Sequence, residues 1–363
     1  FALDKITLNH NSLNLPELHF IAGKKPFDTM RYMAKNIAQT SSVRLDKKPR
    51  YHFCSWYEKM EKYSQQDLEN LLAGLKSIEP EIPLQTIQID NSYCVLGDWL
   101  DSNENWQDGM EHALKMIRDA GYEPGVWVAP FMVNTRSKLY RDHPDWMLRR
   151  ADGSIYVEWE RDAWDEGSVC ILDSSHPEAF EYLRTVFRTF REWGVTYFKT
   201  DFMDWGLHDF GKVKRRMPGK TSVQYFMDVV KMIREEIGND SFWLGCISPY
   251  PPMIGYVDAM RVSNDVGNSW SQGSTGNMLQ ETFYCQYFNN VLWQNDPDVL
   301  YLRHCNTELN DDETRSIALW DGFLGGVINT SDRFHTLRDH RLKLWRFLQP
   351  TENLQTARFP FWS

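Results

Sequence analysis

Asp201 stands two positions after Lys199, and Asp265 stands four positions after Arg261. Each acid therefore has a cation in its own short segment. Two carboxylates facing each other are what cleavage of a glycosidic bond requires. One gives a proton to the leaving oxygen, and the other attacks the anomeric carbon or activates water. If Lys199 and Asp201 share a strand, side-chain alternation puts them on one face. The lysine charge is then expected to keep Asp201 ionised, as a nucleophile needs. Arg261 is expected to hold a substrate hydroxyl or to orient Asp265. Spacing alone also fits ordinary salt-bridged loop carboxylates.

Other chemistries find less support. The sequence contains no GxGxxG, no GxxxxGK[ST] and no HExxH, so nucleotide and zinc-protease motifs are missing. His52, His143 and His304 are too scattered to suggest a metal site, and neither metal nor cofactor is expected. Cysteines 54, 94, 170, 246, 285 and 305 form no CxxC pair. They read as free, mostly buried thiols, which leans toward a reducing, intracellular compartment. With 40 basic against 50 acidic residues, the net charge is −10 and no basic block occurs. That balance points away from nucleic acid and anionic membranes as partners. No apolar run reaches the ~18 residues of a membrane helix. The 15 tryptophans serve either core packing or stacking against sugar faces.

Something must bring the two acids together. From Tyr51 onward short β-rich runs alternate with amphipathic helices. The expected strands are Tyr51–Ser55, Thr86–Asp90, Glu123–Ala129, Val195–Asp201, Phe242–Ile247, Ala259–Ser263, Val299–Leu302 and Gly326–Thr330. Ser64-Gln-Gln-Asp67 reads as a capping box, Pro177 as a first-turn proline, and Gly121, Gly194 and Gly238 as helix stops. Eight strands alternating with helices imply the (β/α)8 TIM barrel, an α/β fold of ~250 residues or more. Three prolines between Ser248 and Met253 leave room for little more than one turn between the fifth and sixth strands. The rival, an open doubly wound sheet, would show a glycine-rich turn after its first strand. Here that turn reads Cys-Ser-Trp-Tyr-Glu. Residues 51–349 are expected to form the barrel. Residues 1–50 read as a lead-in helix or the tail of an upstream module, and 350–363 as a C-terminal tail.

Catalytic groups in such a barrel lie at the C-terminal ends of strands. Those ends carry Trp56, Asp90, Trp127, Asp201 with Asp204, Cys246, Asp265, Arg303 and Asp332. Trp56, Trp99 and Trp127 are candidates for a sugar-stacking platform, with plain packing as the competing reading for each.

Longer segments are more specific. Gly97-Asp-Trp99, Gly125-Val-Trp-Val-Ala-Pro-Phe-Met-Val133, Leu139-Tyr-Arg-Asp-His-Pro-Asp-Trp146, Tyr197-Phe-Lys-Thr-Asp201, Met260-Arg-Val-Ser-Asn-Asp265 and Asn295-Asp-Pro-Asp298 occur in that order. Together they resemble the melibiase-type α-galactosidases, glycoside hydrolase family 36, over roughly residues 51–335. The resemblance implies a retaining exo-glycosidase acting on terminal α-galactosides. It assigns Asp201 as nucleophile and Asp265 as acid/base, the latter with a carboxyl raised relative to Asp201. Asp90, Asn91, Lys199, Cys246 and Arg261 fall at sugar-binding positions. Galactosyl transfer of the raffinose-synthase type and α-N-acetylgalactosaminidase activity are the alternatives. A non-catalytic sugar-binding barrel is the remote one. The chain departs from the family where Asp90-Asn91 replaces an acidic pair. Either Asn91 is a specificity residue, or Asp98 or Asp101 supplies the second acid. Oligomeric state is left open.

Overall fold

The computed structural model describes residues 17–47, 51–78, 82–208 and 212–348. The proposed tail at 350–363 and the first sixteen residues lie outside the described residues. Eight parallel strands form one sheet: β1 (Tyr51–Cys54), β2 (Thr86–Ile89), β3 (Glu123–Val128), β4 (Tyr197–Thr200), β5 (Phe242–Gly245), β6 (Ala259–Arg261), β7 (Gln294–Asp296) and β8 (Ile328–Thr330). Neighbours follow chain order from β1 to β7, and β1 also pairs with β8. A lone parallel bridge, Val299 to Asn329, brings the last two strands together. The Val327 amide supports it by donating to Asn295 O at 2.9 Å. The result is the (β/α)8 barrel.

The seventh strand differs from the sequence expectation. Val299–Leu302 has the composition of a strand, but the ladder runs through Gln294–Asp296 instead. Pro297 offers no N–H, and Asp298 takes a φ of 82°, so the chain turns there. In the polar triplet Gln-Asn-Asp the amide nitrogens and the Asp296 carboxylate find partners. Gln294 Nε2 reaches Lys47 O at 2.8 Å, and Asn295 Nδ2 reaches Cys285 O at 3.1 Å.

The helices obey the local punctuation. Ser64 and Asp67 form a reciprocal capping box on Gln65–Lys76, Pro177 opens Pro177–Glu192, and Gly121, Gly194 and Gly238 adopt positive φ. Between β5 and β6 only the single turn Tyr250–Met253 fits. The part of the lead-in that is described contains a helix, Pro26–Thr40. After it, Arg44 and Lys47 pair with the fully buried Asp258, which also holds Arg234. This strap therefore crosses the start of β6.

Alternation decides what faces the barrel axis. On β4, Tyr197 and Lys199 point inward and Asp201 follows on the same side. Tyr197 stacks on Phe242 of β5, with centroids 5.3 Å apart and planes at 6°. Tyr197, Phe242, Leu244, Ala259 and Val327 make a separate apolar cluster that fills the floor beneath the polar layer. Gly125 on β3 is needed there, because a Cβ would come within 2.9 Å of the Gln88 side chain.

Between β3 and the helix Pro177–Glu192 the chain makes a long excursion. It folds into a small antiparallel sheet of Met132–Asn134, Val169–Ile171 and Val157–Trp159. This sheet overhangs the barrel mouth.

Candidate active site

Asp201 directly follows β4 and is only 8% exposed. Trp127 Nε1 donates to its Oδ2 at 2.9 Å, and the Phe202 amide donates to its Oδ1 at 2.9 Å. The second bond depends on Phe202 holding φ at 50°, a left-handed conformation rarely taken by a residue of that type. Strain of this kind persists only where the surroundings over-determine it. Two neutral donors thus aim one carboxylate without neutralising it.

Lys199 does not partner Asp201 as the spacing suggests. Its ammonium pairs with Asp90 Oδ2 at 3.0 Å, and both groups are buried. Burial alone would lower the ammonium pKa. The Asp90 carboxylate reverses this and holds Lys199 well above the ordinary lysine range. Asp90 also accepts from Gln88 Nε2 at 3.0 Å and Cys54 Sγ at 3.3 Å. Alternation was right about the face. The carboxylate that meets the lysine head follows β2, one strand beyond the neighbouring β3.

Asp265 is placed differently. It follows β6 on a rim loop with its side chain 73% exposed, 2.7 Å from Arg261 Nη2. Arg261 also approaches Cys246 Sγ at 3.9 Å, and burial pushes that thiol well up, so it stays protonated. Desolvation against the rim would raise the Asp265 carboxyl. The Arg261 guanidinium outweighs that and holds it below the usual carboxylate range. The sequence reading asks for a carboxyl raised relative to Asp201; from its own ordinary value Asp265 is moved downward, because the arginine lies within hydrogen-bonding distance.

A cavity of about 810 Å³ opens beside Asp265, walled by Arg261, Cys246, Asp204, Tyr250 and Tyr284. Asn91 lines a separate cavity of about 410 Å³, with Trp164 and Asp162. The Asn91 amide N–H donates back to Asp90 Oδ1 at 2.9 Å. Both alternative acids are engaged elsewhere. Asp98 accepts from the Lys138 and Leu139 amides at 2.8 and 2.9 Å, at the start of the helix Lys138–Asp142. Asp101 is paired with Lys138 at 3.2 Å.

The tryptophans separate. Trp99 is 1% exposed and packs edge-on behind Trp127, 5.9 Å away, so it backs the wall and offers no platform. Trp127 is also buried but points its N–H at Asp201. Trp56 is half-buried and meets Trp164 edge-on at 5.7 Å. Trp164, from the excursion, also packs on Trp127, Trp159 and Phe202. This aromatic hood was not anticipated, although the paired tryptophans of Trp-Glu-Arg-Asp-Ala-Trp164 were its signal. Asp162 shapes the turn beneath by accepting from Asn134 Nδ2 at 2.6 Å and the Trp164 amide at 2.9 Å.

Two further residues were missed. Arg303, expected at the end of the seventh strand, instead braces Asp332 at 2.9 Å. Two residues past the end of β7, in the turn, lies Asp298, buried beside Arg261 at 2.9 Å. Tyr57 donates to Asp298 Oδ2 at 2.6 Å. Misplacing β7 by a few residues hid Asp298, while Tyr57, in the turn Trp56–Lys59 after β1, carried no motif of its own.

Comparison with known proteins gives a consistent picture. A melibiase family model matches residues 88–240. Alpha-galactosidase AgaA of Geobacillus stearothermophilus is 30% identical over 142 residues, covering 37% of this chain and 18% of that protein. Alpha-xylosidase XylQ of Lactiplantibacillus pentosus is 28% identical over 192 residues, covering 49% of this chain and 24% of that protein. The chain therefore spans less than a quarter of either relative. Among solved structures, the alpha-galactosidase TtGalA of Thermus thermophilus, in complex with p-nitrophenyl alpha-D-galactopyranoside, superposes with a TM-score of 0.75. It is 25% identical, covering 88% of this chain and 65% of that one.

Proposed function

We propose that this chain, matched over residues 88–240 by a melibiase family model, acts as a melibiase-type α-galactosidase of glycoside hydrolase family 36 and removes terminal α-galactose by double displacement with retention. The observation that carries this reading is the unlike pair of carboxylates on one barrel rim. Asp201 is sunk and aimed by two N–H donors, and Asp265 is exposed and reached through a cavity. Asp201 Oδ attacks the anomeric carbon as the glycosidic bond breaks, and a covalent glycosyl-enzyme forms. Asp265 gives its proton to the departing oxygen and later takes one from the incoming water. Lys199 and Asp90, already paired, form a rigid polar floor for the ring hydroxyls. Water is kept from the nucleophile by the hood of Trp56, Trp127 and Trp164.

A second substrate is suggested by the alpha-xylosidase match, which extends over more of this chain than the AgaA match. Asn91 in place of an acid supports testing it, since an amide forfeits one charge-assisted acceptor. Hydrolysis of p-nitrophenyl α-galactoside, α-xyloside and α-N-acetylgalactosaminide ranks the substrates. Proton NMR of the first product should show the α-anomer. A β-anomer appearing first would overturn retention. A folded protein inert on all three would overturn the enzymatic reading, and release of galactose only onto sugar acceptors would favour the transferase.

A further inference from the structure

Arg261 is shared between two acids. Its Nη2 lies 2.7 Å from Asp265 Oδ1 and 2.9 Å from Asp298 Oδ2. The tight turn after Pro297 directs the Asp298 side chain inward, where it has no exposure. Its Oδ2 receives the Val266 amide at 2.8 Å and lies 2.6 Å from the Tyr57 hydroxyl oxygen. Its Oδ1 is buried and has no hydrogen-bond partner among the described residues. The Tyr57 hydroxyl also lies 3.4 Å from Asp265 Oδ1. A buried carboxylate with one bare oxygen is costly, whereas a neutral acid in the same place is much less so. One guanidinium compensates one carboxylate, and a second nearby is driven to hold a proton.

We propose that Asp265 and Asp298 hold a single proton between them across Arg261, and that Asp298 is a positioning residue that stores this proton and returns it to Asp265 through the Tyr57 hydroxyl. The inference rests on Asp265 being the acid/base of the proposed reaction. The Tyr57 hydroxyl donates to Asp298 Oδ2 when that carboxyl is ionised; with the proton on Asp298 the bond reverses, and the phenol's own proton turns to Asp265 Oδ1, 3.4 Å away. Transfer breaks the Asp298 O–H bond as a new O–H forms on Tyr57, and breaks the old Tyr57 O–H as one forms on Asp265. Arg261 faces one carboxylate before the step and one after it, so the charge around it does not change. This reconciles an acid that must be protonated to work with an arginine that keeps it ionised at rest.

The other titratable groups facing Asp298 are Asp296 and Tyr301 from its own segment and Asp321 from the helix Asp311–Leu324. Those facing Asp265 include Arg261, Lys199, Tyr57 and Cys246. Consistent with the geometry, burial pushes the Asp298 carboxyl up to about 7 against the pull of Arg261.

The test is a carbon-13 NMR titration of the aspartate carboxyls in the ligand-free protein, with Asp265→Asn and Asp298→Asn assigning the signals. At about pH 6, Asp298 should read as the acid and Asp265 as the carboxylate. In Asp265→Asn the Asp298 midpoint should fall by about one pH unit or more, because a like charge is removed. Both carboxyls ionised at that pH, or an unmoved Asp298 midpoint, would overturn the proposal. The kinetic counterpart uses raffinose and an aryl galactoside. Asp298→Asn should bring the alkaline limb of kcat/KM on raffinose down by about two pH units, since Asp265 then takes its proton only from solvent. Tyr57→Phe should slow raffinose turnover about tenfold more than aryl turnover, as loss of acid assistance does. A merely structural role would lower both substrates together and leave the limb in place. Should the wild-type protein hydrolyse no α-galactoside, the proposed function fails, and the NMR titration still decides whether the proton is shared. The wild-type titration also stands if the Asp298 variant does not fold.

Discussion

Asp201 and Asp265 leave the same barrel rim two strands apart, yet one is 8% exposed and the other has a side chain 73% exposed. The β4 side is held by neutral donors, a strained backbone and indoles packed edge-on, all of which fix a direction. The β6 side is held by an ion pair on an open loop, which fixes a charge and leaves the direction free. A nucleophile has one trajectory to the anomeric carbon, so rigidity serves it. An acid/base must meet a leaving group, then a water, and must change protonation state between the two. The two halves of one reaction thus ask for opposite kinds of support.

The contrast can be broken by substitution. Asp201→Asn should cost ~10⁴-fold or more in kcat on every substrate, since removing a nucleophile removes the whole pathway. Residual activity of a few per cent would move the nucleophile elsewhere. Asp265→Asn should cost ~10²–10⁴-fold on raffinose and clearly less on p-nitrophenyl galactoside, whose leaving group needs no proton. Equal losses on the two would deny it the acid role. Trp127→Phe keeps one aromatic ring and deletes the N–H to Asp201, so kcat should fall by the factor that corresponds to the ~1.5–3 kcal/mol typical of a bond to a charged group. The matching change on the open side, Tyr284→Phe, is expected to do little. The smallest effect belongs to Asn91→Asp, which should alter kcat/KM by about tenfold and in opposite senses for galactoside and xyloside. No change on either would remove Asn91 from the specificity residues.

The barrel, its helix caps and the two acids were legible in the sequence because each has a local signature. Examples are the capping box at Ser64, the short Lys199-Thr-Asp201 segment, and alternation along β4. Partnerships across strands were not legible in this way. Lys199 chose Asp90 over Asp201 because β2, β3 and β4 set their relative stagger through backbone register, which no short motif encodes. The seventh strand misled for a related reason. Val299–Leu302 is apolar and buried, but burial in a loop looks the same in sequence as burial in a sheet. The polar Gln294–Asp296 earns its place only from partners far along the chain. The indole hood was hidden because its members come from β1, β3 and a long excursion.

The single bridge between Val299 and Asn329 has a bearing on how the molecule breathes. Between β3 and β4 the ladder runs from the Gly125–Tyr197 pair to the Val128–Thr200 pair, whereas β7 and β8 meet through that lone bridge and two flanking amide bonds. Local opening starts where backbone pairing is thinnest, and amides there exchange with solvent ahead of the global unfolding event. Deuterium should therefore enter Val327 and Leu300 well before Phe198 or Val126. Since Asp296 and Asp298 hang from the thin margin and Asp201 from the thick one, a transient parting would unsettle the proton-handling wall while leaving the attacking carboxylate in place.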